Sequence, residues 1–425
     1  MNMKYKIISL GCKVNSYECA SLRDAFNRQG WEECNKEEAD VVVINTCSVT
    51  ATADQKSRQH IRKMMKQNPH AISVVMGCYS QGNASYIVND IQANIIIGTN
   101  HRNEIVSLIN EFKTNGKQII KVDQNTRRFQ YEEMGITSFC ENVRAYLKIQ
   151  DGCDNFCSYC LIPLRRGKMR SRNKEDVIKE ATYLVEKGYP EIVLTGIHVG
   201  GYGQDLQNTS FSDLVEELCQ IPHIQGLRIS SIEESEIDDK LIQLIKDNDC
   251  LAKHLHIPIQ SGSKTVLERM NRKYNPEEFL NKIDKIKQAN PDIALTTDVI
   301  VGFPGETEEE FNETVTFIKQ CGFHMLHVFP FSARENTKAF YMPDQIKPEI
   351  KAQRVDTLLK LSQELWNNYT DKFIDKEVEV LIEKYDGGYN IGHTSNYIDV
   401  KIADNEQKIG QKIKIKLQKS MIISK

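Results

Sequence analysis

The chain has 425 residues, 40% of them hydrophobic and 27% charged, with a net charge of -3. That size accommodates two or three domains, and that composition excludes a disordered or collagen-like chain. The apolar run in "MNMKYKIISLG" is too short for a secretory signal or a membrane span, so a cytoplasmic location is expected.

From residue 1 to 113, β-branched runs alternate with amphipathic stretches. "KYKIISLG" (4–11), "DVVVINT" (40–46), "ISVVMG" (72–77) and "NIIIGT" (94–99) predict buried strands of an open parallel sheet. "SYECASLRDAFNRQG" (16–30) predicts a helix that stops at Gly30. Cys12, Cys47 and Cys78 each follow one strand, separated by roughly thirty residues, the length of a strand–helix unit. Ligand sites of open α/β sheets lie beyond the carboxyl ends of the strands, so these three thiols should converge. Gly11 and Gly77 precede two of them, as a close backbone approach requires. Cys19 and Cys34 lack that placement and are read as core or incidental.

Residues 114–138 are polar and predict a linker. A second α/β series over 139–365 supplies six strands, "AYLKIQ", "EIVLTGI", "GLRISSI", "KHLHIPIQ", "IALTTDVIVG" and "MLHVFPF". Six such units predict a complete or partial parallel (β/α)6 barrel with its site at the strand C-termini. "DGCDNFCSYCLIP" (151–163) follows the first of these strands and carries Cys153, Cys157 and Cys160. Residues 366–425 read as short alternating strands of a small all-β barrel, with a hairpin at "DGG" (386–388). Its lysines fit either an RNA-binding platform or a soluble edge. The basic clusters at 164–172 and 269–273 are expected to contact phosphates.

Twelve cysteines in a chain of a reducing compartment point to metal or redox chemistry rather than disulfides. Thiolates suit zinc or iron–sulfur clusters. A structural zinc wants four ligands, and neither triplet has a local fourth, although His198, His254 or His256 could in principle supply one. A [4Fe–4S] cluster on three cysteines leaves one iron open to another ligand.

C-x3-C-x2-C after the first strand of such a barrel resembles the radical S-adenosylmethionine (SAM) superfamily. The resemblance implies a [4Fe–4S] cluster on Cys153, Cys157 and Cys160. Its open iron would chelate SAM, and one electron would cleave SAM to a 5′-deoxyadenosyl radical. Tyr159 matches the family's adenine-contacting position. Thr195 and Gly196 in "VLTGI" (193–197), the segment "DVIVGFPGET" (298–307), and Gln260 in "HIPIQSGS" (256–263) match its SAM-supporting segments. No catalytic residue is assigned beyond the cluster ligands.

The whole chain resembles the radical SAM methylthiotransferases, which combine a three-cysteine domain, a radical SAM barrel and a TRAM barrel. Carried over, Cys12, Cys47 and Cys78 would hold an auxiliary [4Fe–4S] cluster bearing the sulfur to be inserted. "LGCKVNSYE" (10–18), "NTCSVTATADQKSR" (45–58), "LTGIHVGGYG" (194–203) and "SSIEESEI" (230–237) resemble the branch acting on threonylcarbamoyladenosine in tRNA. That implies methylthiolation of adenine C2 next to an anticodon, two SAM molecules, and an electron donor such as a flavodoxin or ferredoxin. The base would have to leave its stack to react. Isopentenyladenosine in tRNA or a ribosomal-protein aspartate are the alternative substrates, and a non-enzymatic electron carrier is disfavoured because such proteins usually close their clusters with four cysteines. Glu335-Asn336 departs from the family's glycine-containing turn. Cys140, Cys219, Cys250 and Cys321 lie outside both triplets.

Overall fold

The computed structural model describes residues 3–34, 38–135 and 143–423. Cys140 lies outside the described residues.

The first unit is a parallel sheet of β1 (Lys4–Ser9), β2 (Glu32–Glu33), β3 (Val41–Thr46), β4 (Ile72–Gly77), β5 (Ile95–Ile97) and β6 (Ile119–Lys121), in the order β2-β1-β3-β4-β5-β6. Helices α1 (Lys13–Arg28), α2 (Ala51–Gln67), α3 (Cys78–Tyr86) and α4 (Ile105–Asn115) connect and cover it. β3 is buried throughout because both faces are packed. Val41 and Val43 join Tyr5, Phe26 and Leu108 on one side, and Val42 and Ile44 join Ile61, Tyr79 and Ile87 on the other. Each such side chain contributes about 1.5–3 kcal/mol relative to exposure. Register then sets the site: Ser9 pairs with Asn45, and Thr46 with Gly77, so the three strands end at one level.

The expected linker is partly sheet. Ile119–Lys121 pairs with β5, and beyond it Phe129 and Glu132 are buried. A three-residue edge strand in a polar context leaves little periodicity to read.

The second unit has six parallel strands. They are β7 (Arg144–Lys148), then, after the short antiparallel pair β8 (Gln150–Asp151) and β9 (Arg170–Ser171), β10 (Glu191–Thr195), β11 (Leu227–Ile229), β12 (His254–His256), β13 (Ala294–Val301) and β14 (Met325–Pro330). β7, β10 and β11 form one group and β12, β13 and β14 another, joined by bridges Leu227–Leu251 and Ser231–His256. Among the described residues β14 does not pair with β7, so this is an open (β/α)6 barrel.

The helix Pro348–Thr370 packs on β14 and runs through the boundary expected at 365. Its Trp366 and Tyr369 enter the core of the third unit. That unit is an antiparallel sheet in the order β17-β16-β15-β18, built from β15 (Glu377–Asp386), β16 (Tyr389–Thr394), β17 (Asp399–Ala403) and β18 (Lys412–Lys416). Ile422 bridges back to Val400, carrying the chain round to the far edge. Gly387 and Gly388, at φ +57° and +84°, make the two-residue turn foreseen at "DGG". Lys414 and Lys416 face Glu377 and Asp375 at 3.8 and 3.2 Å. Among the described residues no helix is long and apolar enough to cross a membrane.

Candidate active site

Cys12 caps the start of α1, Cys47 follows β3 and Cys78 opens α3. Gly11 has φ +100°, and a Cβ there would stand 2.6 Å from Cys47 Cβ and 2.8 Å from its Sγ. The turn before Cys12 therefore lies directly on Cys47. Gly77, at φ +102°, leaves no room for a Cβ, which would meet Asn45 Oδ1 and Thr46 O at 2.5 Å. Asn15 ties the strand ends together, donating from Nδ2 to Leu10 O at 2.6 Å and to Thr46 O at 3.2 Å. Burial pushes the Cys47 thiol up to about 11, with Cys78 and Cys12 both adding to the rise. Burial also raises the Cys12 thiol, against the pull of Arg166. Each of these two thiols is thus raised by its neighbours in the triplet.

Cys153, Cys157 and Cys160 lie on one loop. Its entry needs Gly152 at φ +73°, where a Cβ would be 1.9 Å from Lys168 O. Amides of Asn155 and Ile162 point at Cys153 Sγ (3.5 Å) and Cys160 Sγ (3.4 Å), a pattern that steadies thiolate ligands. Arg272 donates to Cys157 Sγ at 3.3 Å. Ser158 N donates to Met270 O at 2.9 Å, strapping the loop to the 269–273 segment. Burial opposes charge on His198, but hydrogen bonds to Cys153 and Glu236 outweigh it and raise its pKa to about 10. Burial, then Cys157, lifts Cys160 to about 12.

Among the described residues no three His, Cys, Asp or Glu side chains are grouped tightly enough for a single metal ion. An iron–sulfur cluster is a larger body, and each thiolate binds its own iron. Two sets of three mutually sensed thiols, with amides and a guanidinium directed at sulfur, fit that group.

A buried charge network joins the triplets. Arg166 follows the Cys153 loop in α5 (Ile162–Arg166) and donates to Cys78 Sγ at 3.3 Å and Asn15 Oδ1 at 2.9 Å. It also pairs with Glu18 (2.9 Å) and Asp151 (3.2 Å). Arg102 pairs with Glu18 and Glu132, Lys148 with Asp151 at 2.6 Å, and Arg170 with Asp151 at 3.2 Å. Burial alone would raise the Glu18 and Asp151 carboxyls, but the surrounding cations hold both well below the usual carboxylate range.

Most arginines of the two basic clusters are engaged within the chain, while Lys168 and Lys273 are exposed. Arg166, Arg170 and Arg172 are buried and paired within the chain, and Arg269 and Arg272 pair with Glu310 and Glu233. Their acidic partners are remote in sequence, so the clusters read as free charge. Asn336 stands at φ +69°, a conformation asparagine tolerates, so the departure at Glu335-Asn336 preserves a left-handed turn. Next to it, Arg334 reaches Ser48 O at 3.3 Å and pairs with Asp54, docking the β14 loop beside Cys47.

A cavity of about 1380 Å³ runs along the barrel strands, from His254 and Met325 at strand starts to Thr195 at a strand end. Cys12 and Lys13 line it together with Thr195, Gly196, Arg228, His254, His256, Asp298 and Tyr397. Of the four residues matched to SAM support, Thr195 and Gly196 are on this wall. Tyr159 lies elsewhere, edge-on to Phe303 at 6.4 Å, and Gln260, at φ +64°, bridges backbone to Val299. His254 and His256 bond Thr296 at 3.1 and 2.9 Å, while His198 sits by Cys153. Sequence reasoning missed Asn15, Lys13 and Arg228. Lys13, next to Cys12, was the one with a signal. Lys13 is exposed on the cavity wall, and the protein packed around that wall, with Arg144 and Arg228 nearby, brings its pKa down to about 8.

Residues 147–318 match the radical SAM superfamily, and residues 4–98 match an uncharacterised protein family, UPF0004. The chain is 44% identical to threonylcarbamoyladenosine tRNA methylthiotransferase MtaB of Bacillus subtilis, over 97% of this chain and 93% of that relative. It is 35% identical to the protein of the same name from Aquifex aeolicus, over 97% and 100%. Identity to the tRNA-2-methylthio-N(6)-dimethylallyladenosine synthase of Clostridium tetani is 34%, over 97% and 93%. The radical SAM methyltransferase TsrM from Kitasatospora setae shares the fold, with a TM-score of 0.56 at 14% identity, covering 78% of this chain and 75% of that one. Both triplets fall within stretches that these relatives match along nearly their full length, and the chain belongs to the radical SAM methylthiotransferase family.

Proposed function

We propose that this enzyme inserts a methylthio group at C2 of the N6-threonylcarbamoyladenosine next to a tRNA anticodon. Cys153, Cys157 and Cys160 would hold the [4Fe–4S] cluster that binds and reductively cleaves SAM, and Cys12, Cys47 and Cys78 a second cluster that carries the sulfur. The observation that supports this reading is the link between the triplets: Arg166, just after the Cys153 loop, donates to Cys78 Sγ at 3.3 Å, and Cys12 lines a cavity together with Thr195 and Gly196. A base flipped from the anticodon loop would enter the cavity that Cys12, Thr195 and Gly196 line. The 44% identity to the threonylcarbamoyladenosine enzyme of Bacillus subtilis, against 34% to the dimethylallyladenosine synthase of Clostridium tetani, supports the substrate.

The chain's own residues hold this arrangement in place. Gly11 and Gly77 let the strand ends approach, and Asn15 and Arg166 fix Cys78 relative to Cys12. Arg272 donates to Cys157 Sγ at 3.3 Å, and His198 stands beside Cys153, so both sulfurs are held in place. An electron donor of the flavodoxin or ferredoxin kind would complete the cycle.

The test is nucleoside mass spectrometry of tRNA from a host lacking its own methylthiotransferases but retaining both modified adenosines. Expression of this chain should yield 2-methylthio-threonylcarbamoyladenosine, and the Cys153→Ala form none. A 2-methylthio-isopentenyladenosine peak in its place would overturn the substrate.

A further inference from the structure

The proposed substrate has a group that a dimethylallyl base lacks, the carboxylate of its threonyl moiety. One corner of the large cavity is built for an anion. Arg228, on β11, is 2% exposed. Its Nε and Nη2 grip Glu191 at 3.0 and 2.8 Å, while its Nη1 is buried without a partner. Beside it His254 spends Nε2 on Thr296 Oγ1 and leaves Nδ1 buried and unpartnered. Tyr397 holds both, its ring centre 4.5 Å from the Arg228 guanidinium carbon and stacked on His254 at 4.9 Å.

Lys13 completes the corner. It lines the cavity at the first turn of α1, which has neither an acidic residue nor a side-chain cap. It shares that wall with Arg228. Arg228 and Arg144 share Glu191, and Arg144 and His393 also pair with Glu383, while no ion pair within the chain takes up Lys13 among the described residues. Asp298, a carboxylate on the cavity wall, is engaged by His256 at 3.3 Å. The buried, orphaned Nη1 of Arg228, with Lys13 exposed on the same cavity wall, calls for an anionic ligand.

We propose that Lys13 and Arg228 bind the carboxylate of the threonylcarbamoyl group and thereby select this substrate over alkylated adenosines. The inference rests on the substrate reading above. A charged hydrogen bond lost without replacement lowers kcat/KM by about tenfold or more.

The test compares an anticodon stem-loop RNA carrying threonylcarbamoyladenosine with the same RNA as its threonyl methyl ester. The wild-type enzyme should lose at least about tenfold in kcat/KM on the ester. Lys13→Gln should lose a similar factor on the carboxylate RNA and treat the two RNAs alike, with iron content and SAM cleavage unchanged. Arg228→Lys should retain part of the preference and Arg228→Gln none. Should the Arg228 variants fail to fold, the ester comparison on the unaltered enzyme and Lys13→Gln carry the test. Equal wild-type turnover of acid and ester would overturn the inference and leave the substrate reading standing. No turnover of the threonylcarbamoyl RNA at all would overturn both. A Lys13→Gln enzyme that discriminates like wild type would remove Lys13 from the site.

Discussion

The two cysteine triplets reach similar surroundings by opposite routes. Cys153, Cys157 and Cys160 occupy one loop of eight residues, shaped by Gly152 and strapped to Met270, so local chain geometry decides where the sulfurs stand. Cys12, Cys47 and Cys78 come from three strand ends and meet only because register aligns β1, β3 and β4. The first arrangement should tolerate loosening of the domain interface. The second depends on the packing of a whole sheet and on Arg166, whose guanidinium reaches Cys78 from the barrel side. A local motif is visible as spacing, whereas a convergent one becomes visible only once the strands are placed.

The sharpest way to break this comparison is Arg166→Met. Removing one cation from the buried network leaves Glu18 and Asp151 undercompensated, at a cost of about 3–5 kcal/mol. Urea denaturation should register that loss. Iron analysis should show depletion at the N-terminal triplet, with the Cys153 loop still loaded. Equal loss at both would mean that the two sites are not independently built.

Much of the fold was legible because its strands are apolar runs buried on both faces, as "VVVINT" shows, and because "DGG" can form only a few turns. The convergence of Cys12, Cys47 and Cys78 was legible for the same reason. The ion network was not, since Glu18 and Arg166 stand 148 positions apart and nothing in either neighbourhood announces the other. Tyr159 and Gln260 matched SAM-supporting positions by resemblance, yet neither lines the large cavity that Thr195 and Gly196 share. The helix Pro348–Thr370 hid a domain junction because its periodicity is continuous while its buried face changes partner.

Acid titration sharpens the same contrast. Glu18 and Asp151 have carboxyls held below their unfolded values of about 4, so the stability they confer is complete above that pH and is lost as pH falls through the folded values. The urea midpoint should therefore stay level from neutral pH down to about 5 on their account and drop below about 4. Glu18→Gln should start lower at neutral pH and drop less. An unchanged acid slope in that variant would exclude the network as the source.

The smallest effects are expected where side chains only meet solvent or core. Lys414→Ala breaks an exposed pair with Glu377 and should change stability by no more than about 0.5 kcal/mol. Cys219, Cys250 and Cys321 lie outside both triplets. Alanine at each should leave methylthiolation intact, and at the fully buried Cys321 should cost about 1 kcal/mol, read by thermal melting.

The central claim is that the triplets divide the reaction, the barrel loop cleaving SAM and the strand ends delivering sulfur. The most direct measurement is to follow 5′-deoxyadenosine and methylthiolated nucleoside together in Cys47→Ala and Cys153→Ala enzymes, each supplied with reductant and substrate tRNA. Cys47→Ala should still release 5′-deoxyadenosine and form no methylthio product, and Cys153→Ala should do neither. A Cys47→Ala enzyme that still methylthiolates tRNA would contradict the account.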